Sequence, residues 1–258
     1  MIPDFTLVVG VDARHLKQLE MTWPTWRKHK PSLLDRPMLA FYDQTELTAR
    51  DVRIVIDNPR LAVFPWSPVG AVYSGSGEDK WNSPQRHKML AGFVHAPAGW
   101  VETPYWLKID TDVVATGYDN WIEDFWFEDN PAIIAHPWSF TKPPEQMLRL
   151  NQWASTLPVL GMPVPGLVPT PGSDRLAHQR IISWCGFFNT EFTRKAAGLA
   201  NLACGIYQLP VPSQDGYLWF MAKWLGWPIV RASMKNRGWT QWSADFNVKR
   251  YAEEAMRG

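Results

Sequence analysis

At 258 residues and 46% hydrophobic composition, the chain is long enough for one large α/β domain with a sizeable core. Its 26 basic and 25 acidic residues leave a net charge of +1, which excludes recruitment of nucleic acid or an anionic membrane by a global field and leaves only local patches for such binding. Two cysteines, Cys185 and Cys204, are too few for a zinc-finger framework and fit a reducing compartment, with a single disulfide still open.

The start, Met1-Ile2-Pro3-Asp4-Phe5, has no basic segment followed by a long apolar stretch, so no signal peptide is expected. No apolar run approaches the roughly 20 residues of a spanning helix. The expectation is a soluble, cytoplasmic protein. Sixteen tryptophans are the compositional outlier. Most are expected in the core, and a few beside a site would suit the flat apolar face of a sugar.

Thr6 to Val11 is a continuous apolar run ending at Asp12, the pattern of a buried parallel strand. Helix is expected between His15 and Lys30, interrupted by Pro24. Pro37 to Asp43 reads as a second strand and Val52 to Ile56 as a third, the latter finishing in Asp57-Asn58-Pro59. Gly70 to Gly77 is loop by composition. Ser83 and Pro84 open a helix whose apolar side carries Met89, Leu90, Phe93 and Val94. Ala132 to Ala135 is a short strand ending at His136. Leu157 to Gly172, with five prolines, reads as a long surface loop or lid. A strand over Ile181–Phe188 and helices over Thr190–Leu202 and Ser213–Leu225 follow. Gly226 stops the last helix, and Pro228 opens a terminal strand, Ile229-Val230.

Between these lies Tyr105-Trp106-Leu107-Lys108-Ile109-Asp110-Thr111-Asp112-Val113-Val114. If the strand runs through the acids, Asp110 and Asp112 share one side about 7 Å apart. Paired charge is seldom left in a sheet uncompensated. A hard divalent cation shared with phosphate oxygens would remove the penalty. The bland alternative is a strand end where the acids are solvated or make turn hydrogen bonds. Strands alternating with helices imply a mostly parallel sheet covered on both faces. Asp12, Asp57, Asp110 and Asp112 would then gather at the strand ends where such sheets bind ligands.

Taken together, the opening strand to Asp12, a helix with Arg86 and Lys88, the Tyr105–Asp112 run, Gly186-Phe187-Phe188 and Ser213-Gln214-Asp215-Gly216-Tyr217-Leu218 resemble the nucleotide-sugar glycosyltransferases of the GT-A fold. Asp110-Thr111-Asp112 matches that fold's Asp-x-Asp motif. Gln214-Asp215 resembles its later Glu-Asp pair with Gln in place of Glu. The resemblance implies one Rossmann-like domain over residues 1–258, with residues 1–115 binding the donor and 116–258, including the loop at 157–172, binding the acceptor. It implies a hexosyltransferase-like enzyme that uses a nucleotide-diphosphate sugar, expected to be a UDP-sugar, with Mn²⁺ or Mg²⁺. Asp112 would ligate the metal directly, and Asp110 would bind it through water or hold the donor ribose. Asp12 and Asp57 would face the nucleoside; their plain alternative is turn capping.

Arg86 and Lys88 would serve the donor phosphates. Two residues apart on a helix they diverge by about 200°. Arg86 shares a side with Leu90 and Phe93 and leans toward the sheet, whereas Lys88 reaches a phosphate only if the helix end lines the cleft. Solvated surface charge is the alternative for both. Asp215, in a helix's first turn, would be the base of an inverting transfer; the alternative is simple helix stabilisation.

Relatives often supply a third metal ligand, commonly His, from the C-terminal region. All six histidines here precede that region, leaving Asn236, Asp245 or water. His136 fits the acceptor side or an ordinary buried histidine.

A sugar-nucleotide pyrophosphorylase is disfavoured because Asp12-Ala13-Arg14-His15 carries no glycine cluster. A non-catalytic carbohydrate-binding protein would explain the tryptophans but not the acids. A glycosyltransferase acting on nucleic acid stays open through Lys235, Arg237, Lys249 and Arg250, a patch broken by Asp245, Glu253 and Glu254.

Overall fold

The first strand, β1 (Phe5–Val11), is buried along its length except at Gly10, as the unbroken apolar run requires. Asp12 ends it and caps helix α1 (Ala13–His29), its carboxylate accepting from the His15 backbone N–H at 2.8 Å. The helix passes through Pro24 without breaking, although the ring removes one internal hydrogen bond. The structure is a computed structural model that describes residues 1–65, 90–117, 119–138, 180–202, 214–242 and 245–258.

β2 (Met38–Tyr42) follows as expected. The next segment does not. Val52 to Ile56 was expected as a strand, but Ala49–Val55 is helix α2. Thr48 and Asp51 form a reciprocal capping box, and only Val52 is buried, with Ile54 69% exposed. One buried face satisfied by a helical cap outweighs the β preference of valine and isoleucine. The third strand, β3, is Leu61–Pro65.

A π-helical turn, Ala91–His95, leads into the short helix α3 (Ala96–Trp100) and then β4 (Tyr105–Ile109). β5 (Val113–Ala115) leaves the main sheet to pair antiparallel with β9 (Trp239–Gln241). β6 (Ile133–Trp138), β7 (Arg180–Asn189), α4 (Thr190–Ala200), α5 (Gln214–Trp224) and β8 (Ile229–Arg231) complete the middle of the chain. β9 and α6 (Asp245–Arg257) lie beyond the strand expected to be terminal.

The main sheet has the order β3-β2-β1-β4-β7-β6-β8. All neighbours are parallel except at β7, which runs against both β4 and β6. Helices α3, α4 and α5 cover one face around Val8, Trp106, Phe188 and Met221. Helices α1 and α2 and the β5–β9 pair cover the other around Leu7, Val9, Leu107, Trp26 and Trp239. Each large apolar side chain so buried contributes about 1.5–3 kcal/mol. Most tryptophans among the described residues are core, with Trp23, Trp26, Trp239, Trp121 and Trp126 in edge-to-face contact along the second face.

A buried cation clamps the two-stranded β5–β9 sheet. Lys30 follows α1, donates to the carbonyls of Gly117 and Arg237, and lies over the rings of Trp121 and Trp239. Burial pushes its ammonium down to about 8. Gly238 adopts φ +74° beside it, where a Cβ would stand 2.2 Å from the Thr116 carbonyl oxygen. This clamp fixes β9 against β5, and so fixes the loop that joins β4 to β5. Among the described residues no helix is long and apolar enough to cross a membrane.

Candidate active site

The carboxyl ends of β1, β2, β4 and β6 lie along one edge of the sheet; Asp12, Asp43 and Asp110 sit just past the first three, and His136, expected to follow its strand, lies within β6, two residues before its end. Asp110 and Asp112 do not share a strand, contrary to the expected alternation. β4 stops at Ile109, and the acids flank Thr111 in a tight turn closed by the Val113 N–H to the Asp110 carbonyl at 3.2 Å. That turn is held from below. The Thr111 hydroxyl donates to Gln18 at 2.9 Å, and Thr22 donates to the Thr111 carbonyl at 2.8 Å. Gln18 in turn donates to Asp245 at 2.7 Å, tying α6 to the same turn.

Each acid has a different partner. Asp110 is ion-paired with Lys108, whose side chain is 2% exposed and whose ammonium lies over Phe93 at 4.7 Å. Burial raises the Asp110 carboxyl to about 6; Lys108 opposes the rise while Asp112 and Asp215 add to it. Burial would lower Lys108, yet Asp110, Asp215 and Asp112 together hold it above its usual value. Burial likewise raises Asp112, offset in part by Gln241, whose Nε2 sits 3.3 Å from both carboxylate oxygens. Across β4, Lys108 pairs with Gly186, which leaves it no opposing side chain, and a Cβ there would stand 2.9 Å from that of Ala135.

Asp215 occupies the first turn of α5, half-buried. Its charge acts on both Asp110 and Lys108, so α5 brings it into the same acidic group. Its neighbour Gln214 is 5% exposed, with its Oε1 buried and without a hydrogen-bond partner among the described residues. His136 follows a β-bulge after Ala135, stacks obliquely on Trp184 at 5.5 Å, and has a buried Nδ1 without a partner among the described residues. Burial, then Lys235, lowers its pKa.

The remaining expectations divide. Asp12 sits at the expected edge, but its carboxylate serves the helix cap and the His15 ring at 2.8 Å. Asp57 is not at that edge. With Val52–Ile56 in or beside a helix, Asp57 precedes β3 instead of ending a strand, and it accepts from Trp23 at 2.9 Å and Arg27 at 2.5 Å near the far end of α1. A nucleoside at the carboxyl edge is out of its reach. Arg86, Lys88 and the segment 157–172 lie outside the described residues. Asp245, considered as a metal ligand, is lowered by Gln18 and Arg14 and engaged with both. Of the basic patch, Arg237 pairs with Glu123 at 2.6 Å, and Arg250 lies 3.7 Å from Glu254.

Sequence reasoning missed Lys108 and Gln241. Lys108 had a local signal, since a lysine two residues before an acid in an apolar run faces the same side. Gln241 had none. Among the described residues no group of three or more His, Cys, Asp or Glu could hold a metal alone. The donor set nevertheless fits a hard cation: two recessed carboxylates raised by burial, with an amide beside one of them.

The fold has known counterparts. The chain is similar to the galactosyltransferase LgtC, solved in complex with donor and acceptor sugar analogs, with a TM-score of 0.57 and 9% identity over 98% of this chain and 96% of that one. Core-mannan synthase A from Aspergillus fumigatus, in its Mn/GDP form, gives 0.57 and 11% identity over 86% and 70%. Mouse xyloside xylosyltransferase 1, in its apo form, gives 0.50 and 11% over 89% and 85%. No family model matches the sequence, and no curated protein matches it. The chain has the GT-A glycosyltransferase fold, a mostly parallel sheet with helices on both faces.

Proposed function

We propose that the protein is a metal-dependent glycosyltransferase that moves a sugar from a nucleotide-diphosphate sugar, of the UDP-sugar class, to a carbohydrate hydroxyl with inversion. The observation that carries this reading is the gathering of Asp110, Asp112, Lys108 and Asp215 at the carboxyl edge of a GT-A sheet. The likeness to a structure solved in a Mn/GDP form supports the choice of metal and donor. Residues 1–115 would carry the donor site and 116–258 the acceptor side, and the free thiol of Cys185 fits a cytoplasmic setting.

In this reading Asp112 would hold Mn²⁺ or Mg²⁺, and Asp110 would bind it through water or hold the donor ribose. A divalent cation held there would supply positive charge to the leaving diphosphate. Lys108 keeps Asp110 ionised and in place. Asp215 accepts the proton of the acceptor hydroxyl as its oxygen bonds to the anomeric carbon; the leaving diphosphate keeps the electron pair of the broken bond. α5 anchors through buried Tyr217, Leu218 and Met221, so the carboxylate is held still, as general-base catalysis needs. Incubation with a panel of nucleotide sugars and Mn²⁺ tests the class: nucleotide released from one donor supports it. No release from any donor, with mono- and oligosaccharide acceptors present, refutes it.

A further inference from the structure

We propose that Gln241 supplies a further protein oxygen to the divalent-cation site, turning its amide carbonyl toward an ion seated on Asp112. The inference rests on the metal-dependent reading above.

The geometry is specific. Gln241 is the last residue of β9 and pairs in register with Val113, one residue past Asp112. The next residue, Trp242, donates its backbone N–H to the Asp112 carbonyl at 3.1 Å. Asp112 and Gln241 are therefore fixed to each other by backbone, and the Lys30 clamp at Gly117 and Arg237 holds the β5–β9 strand pair beside them. The side-chain contact itself is loose. One N–H₂ group is shared between two carboxylate oxygens at 3.3 Å each, beyond the usual 2.7–3.2 Å. A glutamine's terminal torsion is broad and nearly two-fold, so its amide turns over easily. With a cation on Asp112 the N–H₂ end would be repelled, and the oxygen end would be drawn in.

The neighbouring groups are otherwise engaged. Lys108 holds Asp110, Gln18 and Arg14 hold Asp245, and His15 faces Asp12. Charge also favours a neutral ligand beside Asp112. Lys108 offsets one of the three carboxylates Asp110, Asp112 and Asp215, and a divalent cation offsets the other two. A further acid would leave the site negative where a diphosphate must bind; an amide oxygen does not. An all-oxygen set suits Mn²⁺ or Mg²⁺ better than Zn²⁺, and a neutral ligand leaves the ion weakly held until diphosphate oxygens join it.

The test is Mn²⁺ titration followed by the electron paramagnetic resonance of free Mn²⁺, with and without uridine diphosphate. Wild type, Gln241→Ala, Gln241→Glu and Asp112→Asn are compared, with melting curves in EDTA to establish that each is folded. Gln241→Ala should weaken Mn²⁺ binding by about 10- to 100-fold, and Gln241→Glu should restore or tighten it through its carboxylate oxygen. If Gln241→Ala binds like wild type, or if Gln241→Glu weakens binding as much as alanine does, the amide is no ligand and the proposal is overturned while the metal reading stands. If wild type binds no Mn²⁺ even with uridine diphosphate, the metal reading falls too.

Discussion

Replacing Lys108 with methionine keeps the length of the side chain and its contact with Phe93 while removing the ammonium that Asp110 faces. Removing one member of a buried pair costs about 3–5 kcal/mol, because the other charge is left without compensation. Asp110 keeps 30% of its side chain open, so the low end, about 3 kcal/mol, applies. For a chain of this size each kcal/mol moves Tm by about 2–4 °C, giving a fall of about 6–12 °C at pH 8. The pH dependence carries a second check. Without Lys108 the folded-state pKa of Asp110 rises further above its unfolded value of 3.8. A carboxyl raised by folding costs stability above its unfolded pKa, and that cost disappears as pH falls through the folded pKa. The deficit of Lys108→Met should therefore shrink between pH 8 and pH 5, and adding Asp110→Asn should recover most of it at pH 8. Thermal and urea unfolding at both pH values provide the measurement. An unchanged Tm at pH 8, or a deficit equal at both pH values, would refute the pairing.

Asp112→Asn should abolish transfer while leaving circular dichroism native, and excess EDTA should do the same to wild type; full activity in either case removes the metal assignment. Asp215→Asn should lower transfer by about two to four orders of magnitude with donor binding retained, and NMR of the wild-type product should show the anomeric configuration opposite to the donor's. Retained configuration contradicts inversion. Gly238→Ala, with its Cβ 2.2 Å from the Thr116 oxygen at φ +74°, should cost about 2–4 kcal/mol in urea unfolding, whereas an unchanged midpoint would mean the β5–β9 pair yields. His95 is 3% exposed and lowered by burial to about 4. The unfolded chain then binds more protons between pH 6.5 and 4, so stability should fall by about 3 kcal/mol as pH drops through that window. His95→Gln should flatten this dependence, and an unaltered profile would assign it elsewhere.

The elements whose signals are local were legible in the sequence. β1 and β2 are largely apolar runs, β4 is apolar but for Lys108, and the acids just past them mark the ligand edge of the sheet. α2 was misread because Val52, Ile54 and Val55 favour strands, although the Thr48–Asp51 capping box was the competing local signal. That error moved Asp57 to the wrong edge. α6 buries only Val248 and Ala252, too thin a stripe to be read through its charges. The Asp110–Asp112 turn takes its shape from Gln18 and Thr22 on α1, and Asp112 meets Gln241 across 129 residues of sequence. Such contacts are set by topology, and no spacing rule reports them.

The most direct test of the account is a crystal structure of the protein grown with uridine diphosphate and Mn²⁺, phased for anomalous scattering from manganese. The account predicts one manganese peak within coordination distance of an Asp112 oxygen, with diphosphate oxygens completing its shell at the carboxyl edge of β1 and β4. Nucleotide bound elsewhere, or manganese away from Asp112 with the nucleotide in place, would contradict it.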